Sequence, residues 1–304
     1  MGGAMPPTQR PIYALALRLL AMAVISVMLL LVKLTGEHGI WLPETLFWRQ
    51  LLPGLALFGW LAARGQLSRL ATRRPWIHAR RALIGGLGMF LTLGVVQIIP
   101  LAEATVLGFT SPIFAVLLAV LLLGEKVGPW RWTAVILGLA GVVIIAGPDR
   151  AHIPLLGLAT GIGAAFMVAL ISIQLRDLGR TEEPVSVVFW FSAFCTPAFA
   201  LVFLRIGVPH HDLAGWAMLL GIGATGLAAQ LLMTAALRYG SVSSVIVMDY
   251  SQFGWATLWG WLFFAHVPGA QTWIGAPAII AAGLIIAWRE QVRGSRAGER
   301  SPAA

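Results

Sequence analysis

Long unbroken apolar runs, rather than an alternation of apolar and polar positions, set the pattern of this chain. Across residues 101–147 two such runs are joined by a short charged turn at 124–131, and that turn holds the only charges between Glu103 and Asp149. At about 1.5 Å per residue, a helix of roughly twenty residues crosses a hydrocarbon core of roughly 30 Å. Lipid offers no partner to backbone N–H and C=O groups, so the segment must satisfy them within helices. It therefore reads as a transmembrane helical hairpin. Further runs at 12–32, 41–63, 82–99, 154–175, 185–204, 215–237, 241–264 and 273–288 complete a set of ten predicted spans. The fold class is an all-α polytopic membrane protein.

Composition agrees. The chain is 59% hydrophobic and 11% charged, with a mean hydropathy of +0.85, where soluble domains carry about 25% charged residues. A net charge of +9 would suggest a nucleic-acid partner in a soluble protein. Here the arginines sit between or beside apolar runs, so the charge reports orientation instead. Residues 64–81 hold six arginines and are expected in the cytoplasm. With the N-terminus inside, sixteen Lys and Arg residues fall on the inner side and only Arg150 and Arg205 on the outer. Both termini are thus predicted in the cytoplasm, in a plasma membrane of the bacterial inner-membrane type. The first run exceeds the apolar core of a signal peptide and reads as a retained helix, with Arg18 snorkelling at one end and Lys33 near the other. The one cysteine, Cys195, has no partner for an intramolecular disulfide and reads as a buried small hydrophobe.

A weak internal repeat underlies the ten spans. A shift of 141 residues places Ile12 on Ile153, Leu117 on Leu258, Gly128 on Gly269, Trp132 on Trp273 and Ala146 on Ala287. Chance explains single identities among apolar residues but not the matched spacing of five spans. Five is odd, so the second copy enters the membrane inverted. The expected units are a first five-helix repeat at 11–148, a second at 152–289 and a cytoplasmic tail at 290–304. Inverted repeats of this kind mark transporters whose binding site lies between the halves near the bilayer midplane.

Particular stretches carry a family resemblance. They are FWRQLLPGL at 47–55, PLAEATVLGFTSPIFAVLLAVLLLGEKV at 100–127 and GLAGVVIIAG at 138–147. The second half adds ALRYGSVSSVIVMDYSQFGWATLWGWLFF at 236–264 and GAPAIIAAGLIIAW at 275–288. Through them nearly the whole chain resembles the drug/metabolite transporter superfamily, in particular the ten-helix EamA-type carriers. The resemblance implies a central cavity surrounded by the first four helices of each half, with the fifth and tenth at the periphery. It leaves the substrate open, because relatives move amino acids, nucleotide-like molecules, vitamins and carboxylates. One departure stands out: the Leu-Gly-Glu ending the fourth span has Ala265 and His266 at the corresponding place in the ninth, so the family's second acidic position is missing.

Polar side chains inside the spans are the expected cavity residues: Gln97, Thr110, Ser111, Gln174, Gln230, Asp249, Tyr250 and Gln252 as substrate-binding groups. Each neutral one has an alternative role as glue between helices. Asp249, Arg49 and Glu103 are the candidates for ion coupling or a charge pair. Asp249 lies about 12 Å along its span, close to the midplane. There it would exchange a proton or balance a substrate charge, or else pair permanently with Arg49 or Arg238. Arg49, similarly deep, costs about 2.5–3.5 kcal/mol or more if alone, so either a carboxylate, a carbonyl or an anionic substrate lies beside it, or it snorkels along the helix to an interface. Trp190, Trp255, Trp259 and Trp261 either stack on a flat substrate or face lipid near an interface.

Enzyme chemistry lacks its residues. There is no His-Glu-x-x-His and no serine in a Gly-x-Ser-x-Gly-like setting. Five of six histidines fall in loops and His266 at a span end; His210, His211 and Asp212 read as a solvated loop rather than a metal site. Gly221, Gly223 and Gly226 match the letters of a dinucleotide motif but lie inside an apolar span with no preceding strand. No Walker sequence offers ATP coupling. The chain therefore reads as needing no cofactor, with a small-molecule solute and the lipid bilayer as partners, no nucleic acid, and room for a homodimer. The function expected is secondary transport of a small organic metabolite by alternating access, proton-coupled or by exchange. The alternative is a non-transporting membrane scaffold or a channel, although a channel would call for a charge ring or carbonyl filter.

Overall fold

The computed structural model describes residues 11–124, 127–146, 153–178, 181–207, 210–239 and 247–299. All regular structure among them is helical: α1 (Pro11–Glu37), α2 (Leu42–Ala63), α3 (Pro75–Ile98), α4 (Leu101–Gly108), α5 (Ser111–Leu123), α6 (Pro129–Ala146), α7 (Leu155–Leu178), α8 (Pro184–Ile206), α9 (Leu213–Tyr239), α10 (Ser251–Phe264) and α11 (Ala270–Glu299). Short 3₁₀ turns occupy Leu67–Leu70 and Val247–Tyr250. Prolines open several helices at the first or second position, where the missing N–H has no helical partner to lose.

Nine spans among the described residues are long and apolar enough to cross a bilayer, with α4 and α5 together forming one of them. The start of the ninth predicted span, 241–246, lies outside the described residues, as do the repeat boundaries at 148 and 152. Large apolar side chains point outward along the helices: Leu83 is 76% exposed, Val143 70% and Ile136 67%. In water such a surface would aggregate, whereas in lipid it is the ordinary outer face of a bundle. The protein is thus an all-α, multi-pass membrane protein.

One sequence expectation changes. The fourth span is not one helix. Pro112 has no N–H to donate to Gly108 and its ring crowds that carbonyl. The backbone tightens there instead, with Thr110 N–H bonding the Leu107 carbonyl at 3.1 Å, before α5 begins. The last span, Ala270–Arg289, ends where the sequence puts it, and its helix runs on to Glu299 within the 290–304 segment.

Contacts run mainly across the two halves of the chain. The α1 helix packs on α9 and α3 on α7, while α2 lies against α8 and α9. Packed against α4 and α5, α6 also runs along α11, where glycines bring the backbones close. A Cβ on Gly141 would sit 2.8 Å from the Gly275 carbonyl oxygen, and one on Gly275 2.6 Å from that of Gly141. Close backbone approach through small residues is how helices associate without a hydrophobic drive between them.

Polar ties hold the halves together at both ends. At the arginine-rich end Arg69 pairs with Glu183 at 2.8 Å and Arg74 with Asp177 at 3.3 Å. At the far end Glu44, in the first turn of α2, pairs with His211 before α9 at 2.8 Å.

Candidate functional site

The interruption between α4 and α5 has a counterpart. Moving 141 residues along the chain carries 108–111 onto 249–252, where the 3₁₀ turn Val247–Tyr250 hands over to α10. The two interruptions face each other, with the rings of Phe109 and Tyr250 edge to face at 5.0 Å between centroids. Beside them opens a cavity of about 320 Å³ whose wall includes Arg18, Gly108, Ser111, Asp249 and Gln252. Interrupted helices expose backbone groups and polar side chains in a place where continuous helices would offer only an apolar surface.

Asp249 does not pair with Arg49. Its carboxylate accepts two hydrogen bonds from Arg18 in α1, from Nε at 2.5 Å and Nη2 at 2.6 Å. The side chain of Arg238, the other expected partner, lies outside the described residues. Arg18 was expected to snorkel to an interface; its side chain is 11% exposed and that of Asp249 31%. The fork of a guanidinium matches a carboxylate in this two-pronged way and fixes both planes.

A second cavity of about 360 Å³ shares Ile25, Leu29, Thr92, Val168, Met233 and Gln252 with the first, and adds Arg49, Arg81, Met89 and Gln230. A third, of about 550 Å³, shares Arg49, Arg81, Phe191 and Gln230 with the second and extends past Gln50 and Ser192 to Tyr239 near the arginine-rich end. The three form a series through the middle of the bundle. Neither α6 nor α11 lines any of them.

Of the candidates, Ser111, Gln230, Asp249, Gln252 and Arg49 line these cavities. The others sit elsewhere. Gln97 donates to the Val32 carbonyl at 3.2 Å, joining α3 to α1 beside Lys33, whose ammonium caps the carbonyls of Val96 and Ile99. The hydroxyl of Thr110 returns to the Leu107 carbonyl at 2.6 Å. Gln174 lies on α7 outside the cavity walls. Tyr250 packs on Phe109 and directs its hydroxyl at Gly283 of α11, where only a glycine leaves room. Glu103 is buried at the far end, accepting a bond from the Thr272 hydroxyl at 3.1 Å with His266 3.5 Å away. No tryptophan is in the walls: Trp190 donates to the Leu70 carbonyl, Trp259 donates to Ser26, and Trp261 faces outward. Arg81 and Thr92 are wall residues that the sequence did not single out, and Arg18, which it placed at an interface, is a third. A basic residue set seven positions into a first helix was the available signal for Arg18.

Comparison with known proteins completes the picture. The EamA-like transporter family model matches residues 11–147 and again 155–288. The chain belongs to this family. Among similar proteins, a riboflavin transporter of Rhizobium johnstonii is 31% identical over 245 residues, covering 78% of this chain and 76% of that protein. The pseudopaline exporter CntI of Pseudomonas aeruginosa is 30% identical over 270 residues, covering 88% of this chain and 93% of its own. One solved crystal structure shares the fold, with a TM-score of 0.61 at 22% identity over 91% of this chain and 98% of that one. As an EamA-like protein, the chain is a membrane transporter of small-molecule solutes and not an enzyme.

Proposed function

We propose that this EamA-like protein is a secondary transporter of a small organic metabolite, working by alternating access between two inverted halves, 11–148 and 152–289. The observation that carries the reading is the cavity series between the halves, crossed by the Arg18–Asp249 pair. Cross-packing supports the inverted relation: α1 on α9 and α3 on α7 are what a two-fold exchange of halves would interconvert. The matching interruptions at 108–111 and 247–250 support it too. Polar ties at both ends are the contacts that rocking of the halves would make and break in turn.

In this reading Ser111, Gln230, Asp249, Gln252 and Arg49 meet the solute, while Gln97, Thr110, Gln174, Tyr250 and Glu103 support the walls. Asp249 takes the coupling role: a proton on its carboxylate, or a charged solute beside it, releases Arg18 and frees α1 from α10. The arginine-rich end and both termini face the cytoplasm of a bacterial-type inner membrane, as the positive-inside count requires. Riboflavin, the solute of one set of relatives, belongs in the first panel tested. The test is exchange of a metabolite panel by proteoliposomes, with Asp249→Asn compared with the parent across pH at equal amounts of folded protein. Unchanged rate and pH dependence in the variant would remove the coupling role. No exchange of any solute by correctly inserted protein would favour a scaffold.

A further inference from the structure

Arg18 has its carboxylate; the two other arginines of the cavity series have none. Arg49 donates from Nη1 to the Gln50 amide oxygen at 3.1 Å and lies 2.6 Å from the Met89 sulfur, a weak acceptor, while its Nε is buried with no partner. Arg81 lies over the Phe191 ring with Cζ 4.6 Å from its centroid, and its Nε and Nη1 are buried without partners. Among the described residues no carboxylate reaches either guanidinium. Both arginines line the same two cavities, together with Gln230.

Two guanidinium groups beside one cavity, each with buried donors left unpartnered, form a costly arrangement without a counter-charge. One anion bound in the cavity that both line offsets the charge of both. Arginine suits this task because its fork meets a planar oxyanion with two parallel bonds. The ring of Phe191 holds the Arg81 head in place by a cation–π contact. Gly85, one turn along α3, leaves the guanidinium space, since a Cβ there would lie 2.5 Å from Nη1.

We propose that Arg49 and Arg81 form an oxyanion subsite and that the transported solute is an organic anion, its carboxylate or phosphate group held between them. Its less polar body extends along Met89 and Leu93 towards Gln252. Gln230 donates from the side. The inference rests on the transporter reading above for the word solute, but the subsite is testable by binding alone.

The test uses purified full-length protein and three probes sharing one apolar body: 4-phenylbutyrate, 4-phenylbutyramide and 2-phenylethyl phosphate. The carboxylate or the phosphate ester raises the thermal midpoint in a saturable way, the amide does not, and the better of the two identifies the head group. Arg49→Gln and Arg81→Gln each weaken binding of the anion by about tenfold or more, the loss of one charge-assisted contact. If one variant fails to fold, the other alone decides. Arg81→Lys, which keeps the charge but not the fork, retains only part of the affinity. Equal shifts with the amide and the acids, no shift with either acid, or full affinity in the glutamine variants would overturn the subsite. Separately, proteoliposomes loaded with a cellular metabolite extract lose anions in preference to cations and neutral solutes. Release without charge preference would sink the anion assignment and leave the transporter reading intact. Release of nothing would sink the transporter reading, while the probe titration still decides the subsite.

Discussion

Arg18 and Asp249 are 231 positions apart and meet in a two-pronged pair, Nε to Oδ1 at 2.5 Å and Nη2 to Oδ2 at 2.6 Å. The pair ties the first third of α1 to the 3₁₀ turn before α10 across a cavity wall. Removing one partner strands the other charge. Fully buried pairs lose about 3–5 kcal/mol this way, and the partial exposure of Asp249 reduces that to roughly 1–3 kcal/mol. Asp249→Asn and Arg18→Met should each lower the thermal midpoint, whereas the reversed pair Arg18→Asp with Asp249→Arg should recover most of the loss. A reversed pair no more stable than the single variants would show that the two side chains do not act on each other.

Gln252 and Glu103 separate wall from support. Gln252 lies on two cavities, so Gln252→Ala should slow exchange several-fold at an unchanged thermal midpoint. Glu103, 4% exposed and bonded to Thr272, should behave the opposite way. Glu103→Ala should cost about 1–3 kcal/mol of stability by leaving buried groups unpaired, with exchange per folded molecule little changed. Exchange abolished by Glu103→Gln in fully folded protein would move this residue from support to mechanism.

The glycine contact of α6 and α11 tolerates no added atom. At Gly141 a Cβ would press on the Gly275 carbonyl oxygen and on Ile279 Cγ1, both at 2.8 Å. Gly141→Ala should therefore destabilise by about 1–3 kcal/mol, and Gly141→Leu should leave little folded protein on size exclusion. The surviving Gly141→Ala molecules should exchange solute at the parental rate, because neither helix borders the cavities.

Orientation is open to direct labelling. Cys195 is buried against the Ala82 carbonyl and should give no background with a membrane-impermeant thiol reagent. On intact cells a cysteine placed at exposed His38 should react and one at Ser68 should not. Reaction at Ser68 from outside would invert the assignment.

The spans were legible in the sequence because lipid imposes one rule, a helix of about twenty apolar residues, and the runs obey it. Hydropathy could not see the interruption at 109–110. Gly108 and Pro112 are both apolar by composition, and the break comes from one missing N–H. The charge pair was hidden for a different reason. Choosing Arg18 over Arg49 as the partner of Asp249 depends on the packing of α1 against both α9 and α10, and so on contacts more than two hundred positions apart. Arg81 escaped because it counts with a basic connection, yet α3 starts at Pro75 and carries it two turns into the bundle. The cavity walls therefore had to be read from the packing, while the candidate polar residues Gln230, Asp249 and Gln252 stood out as rare groups in apolar runs.

The α6 and α11 pair, where Gly141 and Gly275 bring two backbones together, borders none of the three cavities. The glycine brace and the cavity walls thus fall on different helices. Substitutions along α1, α3 and α9 can reshape the walls, one volume or one charge at a time, without loosening that brace. A lineage built on such a division is free to change its diet while keeping its skeleton, and a designer seeking a new cargo should leave α6 and α11 untouched.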